Sequence, residues 1–192
     1  MTLTAFPLRP GRVHEVAGPA AAAFALCCAA GAGDAGLIWV RPAWAGAALF
    51  PHGLADLIDP SRILIAQTAS EVDTLTVAEE SLRDGVLPLV IIEVTKPLSL
   101  RAGRRLQLAA GAGQATGLCL IPDGMGSNAA ETRWHAAPVF GDQGDSTLMK
   151  WELNKNKSGT VGAWHVRWNR QTHCVDMVSP LPFGSGAAGA RG

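Results

Sequence analysis

The order in which two periodicities follow one another along the chain constrains its fold more than any single motif. Short β-rich runs at residues 13–17, 37–41, 63–67, 87–94 and 116–121 are separated by small-residue or helix-period segments. That alternation is the signature of βαβ crossovers and a largely parallel sheet. The run at 63–67 is continuously apolar, as a strand covered on both faces is, and that at 87–94 is the most hydrophobic in the chain and closes with Glu93. Between them Ser70 offers a helix N-cap with Asp73 three residues on, and Val72, Leu75, Ala78 and Leu82 recur at helical spacing. A further helix is expected over 99–111, carrying Arg101, Arg104 and Arg105. From residue 132 the pattern changes to four consecutive β-runs, 133–140, 147–154, 161–168 and 173–178. With no crossover helix between them, they are expected to pair antiparallel at the sheet edge. In the third, Trp164, Val166 and Trp168 share one face, and His165, Arg167 and Asn169 the other.

Composition sets the outer bounds. A chain of 192 residues, 48% hydrophobic and 17% charged, can bury one core without metals or disulfides. Three segments are expected: an N-terminal extension (1–10), the domain itself (11–179), and a small-residue tail (180–192) with too little to bury to become ordered. Sixteen basic residues balance sixteen acidic ones, so no whole-molecule field draws the protein to nucleic acid or an anionic membrane. No apolar stretch approaches the roughly 20 residues of a membrane helix. The first twelve residues lack a signal-peptide pattern, and a cytoplasmic location is expected. Cys27, Cys28, Cys119 and Cys174 form no C-x-x-C pair, and the histidines lack ligand spacing, so no metal is expected.

Three segments bear on nucleotide chemistry. Residues 11–19, Gly-Arg-Val-His-Glu-Val-Ala-Gly-Pro, read as a strand and turn leading into a small-residue helix. A phosphate-binding loop in this place ends in Gly-Lys-Ser/Thr, because backbone amides and the lysine hold phosphates and the hydroxyl binds magnesium. After Gly18 and Pro19 the chain instead reads Ala20 to Ala23, then Phe24 in the lysine's place and Ala25 in the hydroxyl's. Losing both contacts removes the strongest charge-assisted interactions with a triphosphate. Neither a nucleotide cofactor nor an enzymatic activity is expected. An ordinary strand-turn-helix, with no ancestral loop, reads the same residues. Leu89-Val-Ile-Ile-Glu93 is an apolar run closing on an acid, the pattern of a strand whose carboxylate contacts magnesium through water; many buried strands end the same way. Residues 148–157 end in Lys155-Asn-Lys157.

In this order, from about Gly11 to about Trp168, these segments resemble the RecA family. The resemblance implies a RecA-like three-layer α/β domain, with a mainly parallel central sheet, helices on both faces and antiparallel edge strands at the C-terminal end. It sets Lys155 and Lys157 on two lysines that face a neighbour's nucleotide in that family, although a solvated basic turn fits them as well. Residues 95–100 and 123–131 replace the longer DNA-gripping loops, and no acid lies between Gly36 and Ala55, where a catalytic glutamate would stand. Gly11-Arg-Val-His-Glu-Val, Ile38-Trp-Val-Arg-Pro-Ala-Trp44, Pro51-His-Gly-Leu-Ala55, Arg104-Arg-Leu-Gln-Leu-Ala-Ala110 and Glu131-Thr-Arg-Trp-His135 resemble, more narrowly, the ImuA proteins. These are short RecA-like members of a bacterial mutagenesis operon. The implied role is that of a non-catalytic accessory protein in DNA-damage-induced mutagenic translesion synthesis, the SOS response included. The implied partners are an ImuB-like polymerase relative, the error-prone polymerase complex and RecA itself. A SulA-like inhibitor of cell division and a residual nucleotide-binding protein are the competing readings, the latter supported by Glu93, Lys155 and Lys157 alone.

Candidate interaction residues are Trp44, Arg104, Arg105, Arg133, His135, Lys155 and Lys157. Trp44 is either an interface anchor or packing. Between Lys150 and Arg170 five basic residues face one acid, Glu152, a formal charge of +4, with Trp151, Trp164 and Trp168 interleaved. Basic residues beside aromatics suit single-stranded nucleic acid. A basic hairpin with inward tryptophans fits the alternation better, so DNA contact is expected to be weak or indirect.

Overall fold

In a computed structural model that describes residues 3–45, 49–140 and 147–182, the β-runs form one mixed sheet. The elements are β1 (Val13–Ala17), α1 (Ala21–Ala30), β2 (Leu37–Pro42), α2 (Pro51–Leu54), β3 (Ile63–Thr68), α3 (Glu71–Asp84), β4 (Leu89–Glu93), α4 (Leu100–Gly113), β5 (Thr116–Leu120), β6 (Thr132–Pro138), β7 (Leu148–Asn156), β8 (Gly162–Asn169) and β9 (Cys174–Leu181). Among the described residues nine strands run in the order β3-β2-β4-β5-β1-β6-β7-β8-β9. From β3 to β6 every pairing is parallel, and from β6 to β9 every pairing is antiparallel.

Alternation along the central strands divides the interior in two. Val16, Leu37, Trp39, Leu89, Ile91 and Leu118 face a core shared with α1. Their neighbours Val13, Ala17, Ile38, Val40, Val90 and Ile92 face a core shared with α3 and α4. Helices therefore cover both faces, and β2 and β4 are mostly apolar because neither face meets water, whereas β1 also buries His14 and Glu15. α3 starts at Ser70, whose hydroxyl accepts the Asp73 amide at 3.1 Å, and stops at Gly85 in the left-handed region at φ 72°.

Several expectations need correction. β3 is an edge strand rather than a strand covered on both faces: Leu64 is 58% and Ile65 45% exposed. Its apolar run looked like that of an interior strand, but strand order is set by the crossovers. The run at 133–140 does not join its neighbours in a purely antiparallel group, since β6 pairs parallel with β1 and antiparallel with β7. Pro180 and Leu181, assigned to the tail, belong to β9; residues 183–192 lie outside the described residues. The N-terminal extension packs on the domain, with Leu3 and Leu8 buried in the α1-side core. As the alternation required, Trp164, Val166 and Trp168 are buried, together with Trp134 and Trp151.

Candidate functional site

At the C-terminal end of β1 the chain turns through Gly18 and Pro19 and enters α1 at Ala21. A turn this short offers few amides to a ligand. Pro19 has no N–H, the Ala20 amide donates to the Ala136 carbonyl of β6 at 3.0 Å, and the Ala21 amide donates to the Gly18 carbonyl at 3.0 Å. Gly18 adopts φ 96°, where a Cβ would overlap the Ala136 carbonyl oxygen and lie 2.8 Å from His135 Nε2. Phe24 points into the α1-side core with no exposed surface, its ring 4.5 Å from that of Trp151 and 5.3 Å from that of Trp134. Ala23 and Ala25 lie on the same helix, and Ala25 is fully buried. The region where the sequence sets a phosphate loop is filled by main-chain hydrogen bonds and aromatic rings.

Glu93, at the end of β4, is engaged as well. It accepts the Trp39 Nε1–H at 2.8 Å and forms an ion pair with Arg41, at 3.3 Å from Nε and 3.3 Å from a terminal nitrogen. β5 stands between β4 and β1, so the carboxylate is one strand away from the Gly18 turn. A guanidinium against it occupies the place a hydrated cation would need.

Four of the seven interaction candidates converge elsewhere, around the segment 127–129 that connects β5 with β6. Glu15 is buried in β1 and fixes the segment by accepting the Ser127 amide at 2.7 Å. Arg133 bonds Glu15 at 2.8 Å and donates to the Ser127 carbonyl at 3.0 Å. Lys155 donates to the carbonyls of Ser127 and Asn128 at 3.2 and 2.9 Å, and Lys157 to that of Ala129 at 2.7 Å. Burial pushes the Lys155 ammonium below its ordinary value, with Lys157 and Arg133 acting in the same direction. Lys155 is thus half-buried and tied to the domain, whereas Lys157 is exposed in the turn after β7, its ammonium held there by one carbonyl. Across from them runs α4, and Gly103 lets the segment approach, since a Cβ there would lie 2.6 Å from Ser127 Oγ and 2.8 Å from Ala129 Cβ. Gln107 stitches the floor, accepting the Val13 amide and donating to the carbonyls of Val13 and Ala129.

Between α4 and this segment lies a cavity of about 620 Å³. Arg12, Arg104 and Lys157 bring three positive charges to its lining and Glu131 one negative. Glu131 lies 3.9 Å from Arg12 and 3.9 Å from Arg9, too far for strong pairing. Arg104 makes no hydrogen bond or ion pair among the described residues, and neither does the Asn128 side chain. Leu100 and Leu108, 48% and 75% exposed, add apolar wall.

The other candidates stand apart. Arg105 turns from the cavity to Glu79, at 2.6 Å. His135 sits beside the Gly18 turn, its Nε2 3.4 Å from Asp123 and its Nδ1 3.5 Å from Glu152. Trp44, 53% exposed, follows β2 at the end nearest Thr68 of β3. Trp151, Trp164 and Trp168 are packed inward, so they offer no stacking platform to a base. Arg12, Gln107, Asn128 and Glu131 were missed by sequence reasoning, because nothing in their local pattern signals that β1, α4 and the 127–131 segment meet. No family model matches the chain, and no curated protein matches it. No helix among the described residues is long and apolar enough to cross a membrane.

Proposed function

We propose that this protein is a RecA-like, ImuA-type accessory protein without catalytic activity, acting in DNA-damage-induced mutagenic translesion synthesis through contacts with an ImuB-like polymerase relative. The observation that carries this reading is the filled turn at the end of β1. The Ala20 amide is held by Ala136, Phe24 lies among Trp134 and Trp151, and Glu93 is held by Arg41 and Trp39. What a triphosphate and its magnesium would contact serves the core instead, which leaves recognition at the surface as the remaining role. The position of β1 inside the parallel part of the sheet, with a loop and helix following its C-terminal end, supports descent from a nucleotide-binding domain. Exposed apolar side chains at the open edge of β3 and at Trp44 support a protein that works by binding others.

The test is co-purification. The tagged protein is expressed with an ImuB-like polymerase relative, and separately with a cell-division GTPase. The expected result is a stoichiometric complex with the polymerase relative alone. Capture of the division protein alone would replace this reading with the SulA-like one, and capture of neither would remove the accessory role.

A further inference from the structure

We infer that the cavity between α4 and the 127–131 segment is a docking site for an acidic, leucine-type segment of a partner protein. The inference rests on the partner-binding reading above and adds where and by what chemistry a partner is held.

Three observations carry it. First, the cavity has a net positive lining, and Arg104 projects into it with no partner among the described residues. Arg133 and Lys155 are consumed in holding the 127–129 carbonyls, so they build the wall rather than meet a ligand. Second, Leu100 and Leu108 stand one turn on either side of Arg104 on the same helix face, exposed and part of the same lining. A ligand matching this row carries an anionic group flanked by apolar ones, which an acidic peptide offers and a phosphodiester backbone does not. Third, the Asn128 amide in the lining, without a partner among the described residues, suits the N–H and C=O groups of a peptide main chain. The segment 127–129 is held by Glu15, Arg133, Lys155 and Lys157, so this wall is formed before any ligand arrives.

The experiment uses a fluorescein-labelled peptide, Asp-Leu-Asp-Asp-Leu-Asp, titrated with the whole protein and followed by anisotropy. Parallel arms replace every Asp by Asn, replace every Leu by Ser, or use a twelve-nucleotide oligothymidine. Arg104 has no internal partner, so Arg104→Glu leaves the fold intact, which its melting temperature verifies. The expected result is saturable binding of the Asp-Leu peptide that weakens with salt and falls by about tenfold or more in Arg104→Glu. Both altered peptides bind correspondingly less, and the oligonucleotide does not compete. Absence of saturable binding, affinity unchanged in Arg104→Glu, or displacement by oligothymidine would overturn the assignment. Co-purification with the polymerase relative is then repeated in Arg104→Glu. A complex that survives the substitution removes this site and leaves the proposed function standing, whereas a wild-type protein that captures no partner removes the function while the peptide result stands by itself.

Discussion

The Ala20 N–H donates to the Ala136 carbonyl at 3.0 Å, joining the turn after β1 to the neighbouring strand β6. In a phosphate-binding loop an amide in this place points at the ligand. Its capture by the protein's own main chain requires β6 to lie close against Gly18, and that closeness is why only glycine fits there.

Gly18→Ala is therefore expected to destabilise on two counts. The residue adopts φ 96°, and the new Cβ would overlap Ala136 O. Left-handed strain in a non-glycine residue costs about 1 kcal/mol or more, and the overlap adds to it. Chemical denaturation should show a loss of about 2 kcal/mol or more, against about 1 kcal/mol for Gly33→Ala, where φ is also positive, at 69°, but nothing lies near the Cβ.

Phe24 is the second expectation. Its ring contacts those of Phe6, Trp134 and Trp151 in a core without exposed surface. Phe24→Ala should lose about 3–5 kcal/mol. Phe24→Lys should lose at least as much, because an ammonium would be buried without a partner, and should gain no ATP hydrolysis. Hydrolysis above background in the lysine variant would mean that the turn can still form a phosphate cradle.

Glu93 and Arg41 supply a third. Arg41 has a side chain only 7% exposed and pairs with Glu93 at 3.3 Å. Glu93→Gln should destabilise by about 1–3 kcal/mol by weakening that largely buried ion pair, and the added change Arg41→Met should recover part of the loss. A neutral effect of Glu93→Gln would argue that the carboxylate is kept for a ligand.

His14 predicts a pH dependence. It has no exposed surface, its Nε2 donates to the Arg9 carbonyl at 3.0 Å, and its Nδ1 accepts from Thr132 Oγ1 at 2.7 Å. Burial pushes the imidazole below its ordinary value, against the Arg9 hydrogen bond and the charge of Glu131, which favour the cation. The unfolded chain therefore takes up this proton at a higher pH than the folded one. The contribution to stability is complete above about pH 6.5 and is lost as pH falls below it towards the folded value. Unfolding free energies at pH 7.5 and 5.5 should differ more in the wild type than in His14→Gln, whose amide can keep both hydrogen bonds.

Legibility in the sequence followed the range of the interactions involved. α3 and β8 could be read from a cap and from periodicity, because Ser70 and the Trp164-Val166-Trp168 alternation act within one or two turns of chain, and β1 and α1 from the order of strand, Gly-Pro turn and alanine-rich run. The place of β3 at the edge could not, since the apolar pattern Ile63-Leu-Ile-Ala66 suits an interior strand and only the crossovers decide order. α2, four residues long, is too short for any period to show. In the cavity, Arg104 and Lys157 were legible as basic residues, one on a helix and the other in a hairpin turn. Arg12, Gln107 and Glu131 were not, because their meeting depends on contacts such as Gln107 with Val13, 94 residues apart. Arg133 and Lys155 were recognised as candidates, but their engagement with the 127–129 carbonyls is visible only in three dimensions.

The most direct test of the filled turn is thermal unfolding of the wild-type protein with ATP and magnesium titrated into the millimolar range. A nucleotide bound a hundredfold above its Kd would add about 2.7 kcal/mol and raise the melting temperature visibly. The midpoint is expected to stay where it is at every concentration. A saturable rise that is lost in Glu93→Ala would contradict the account at its centre.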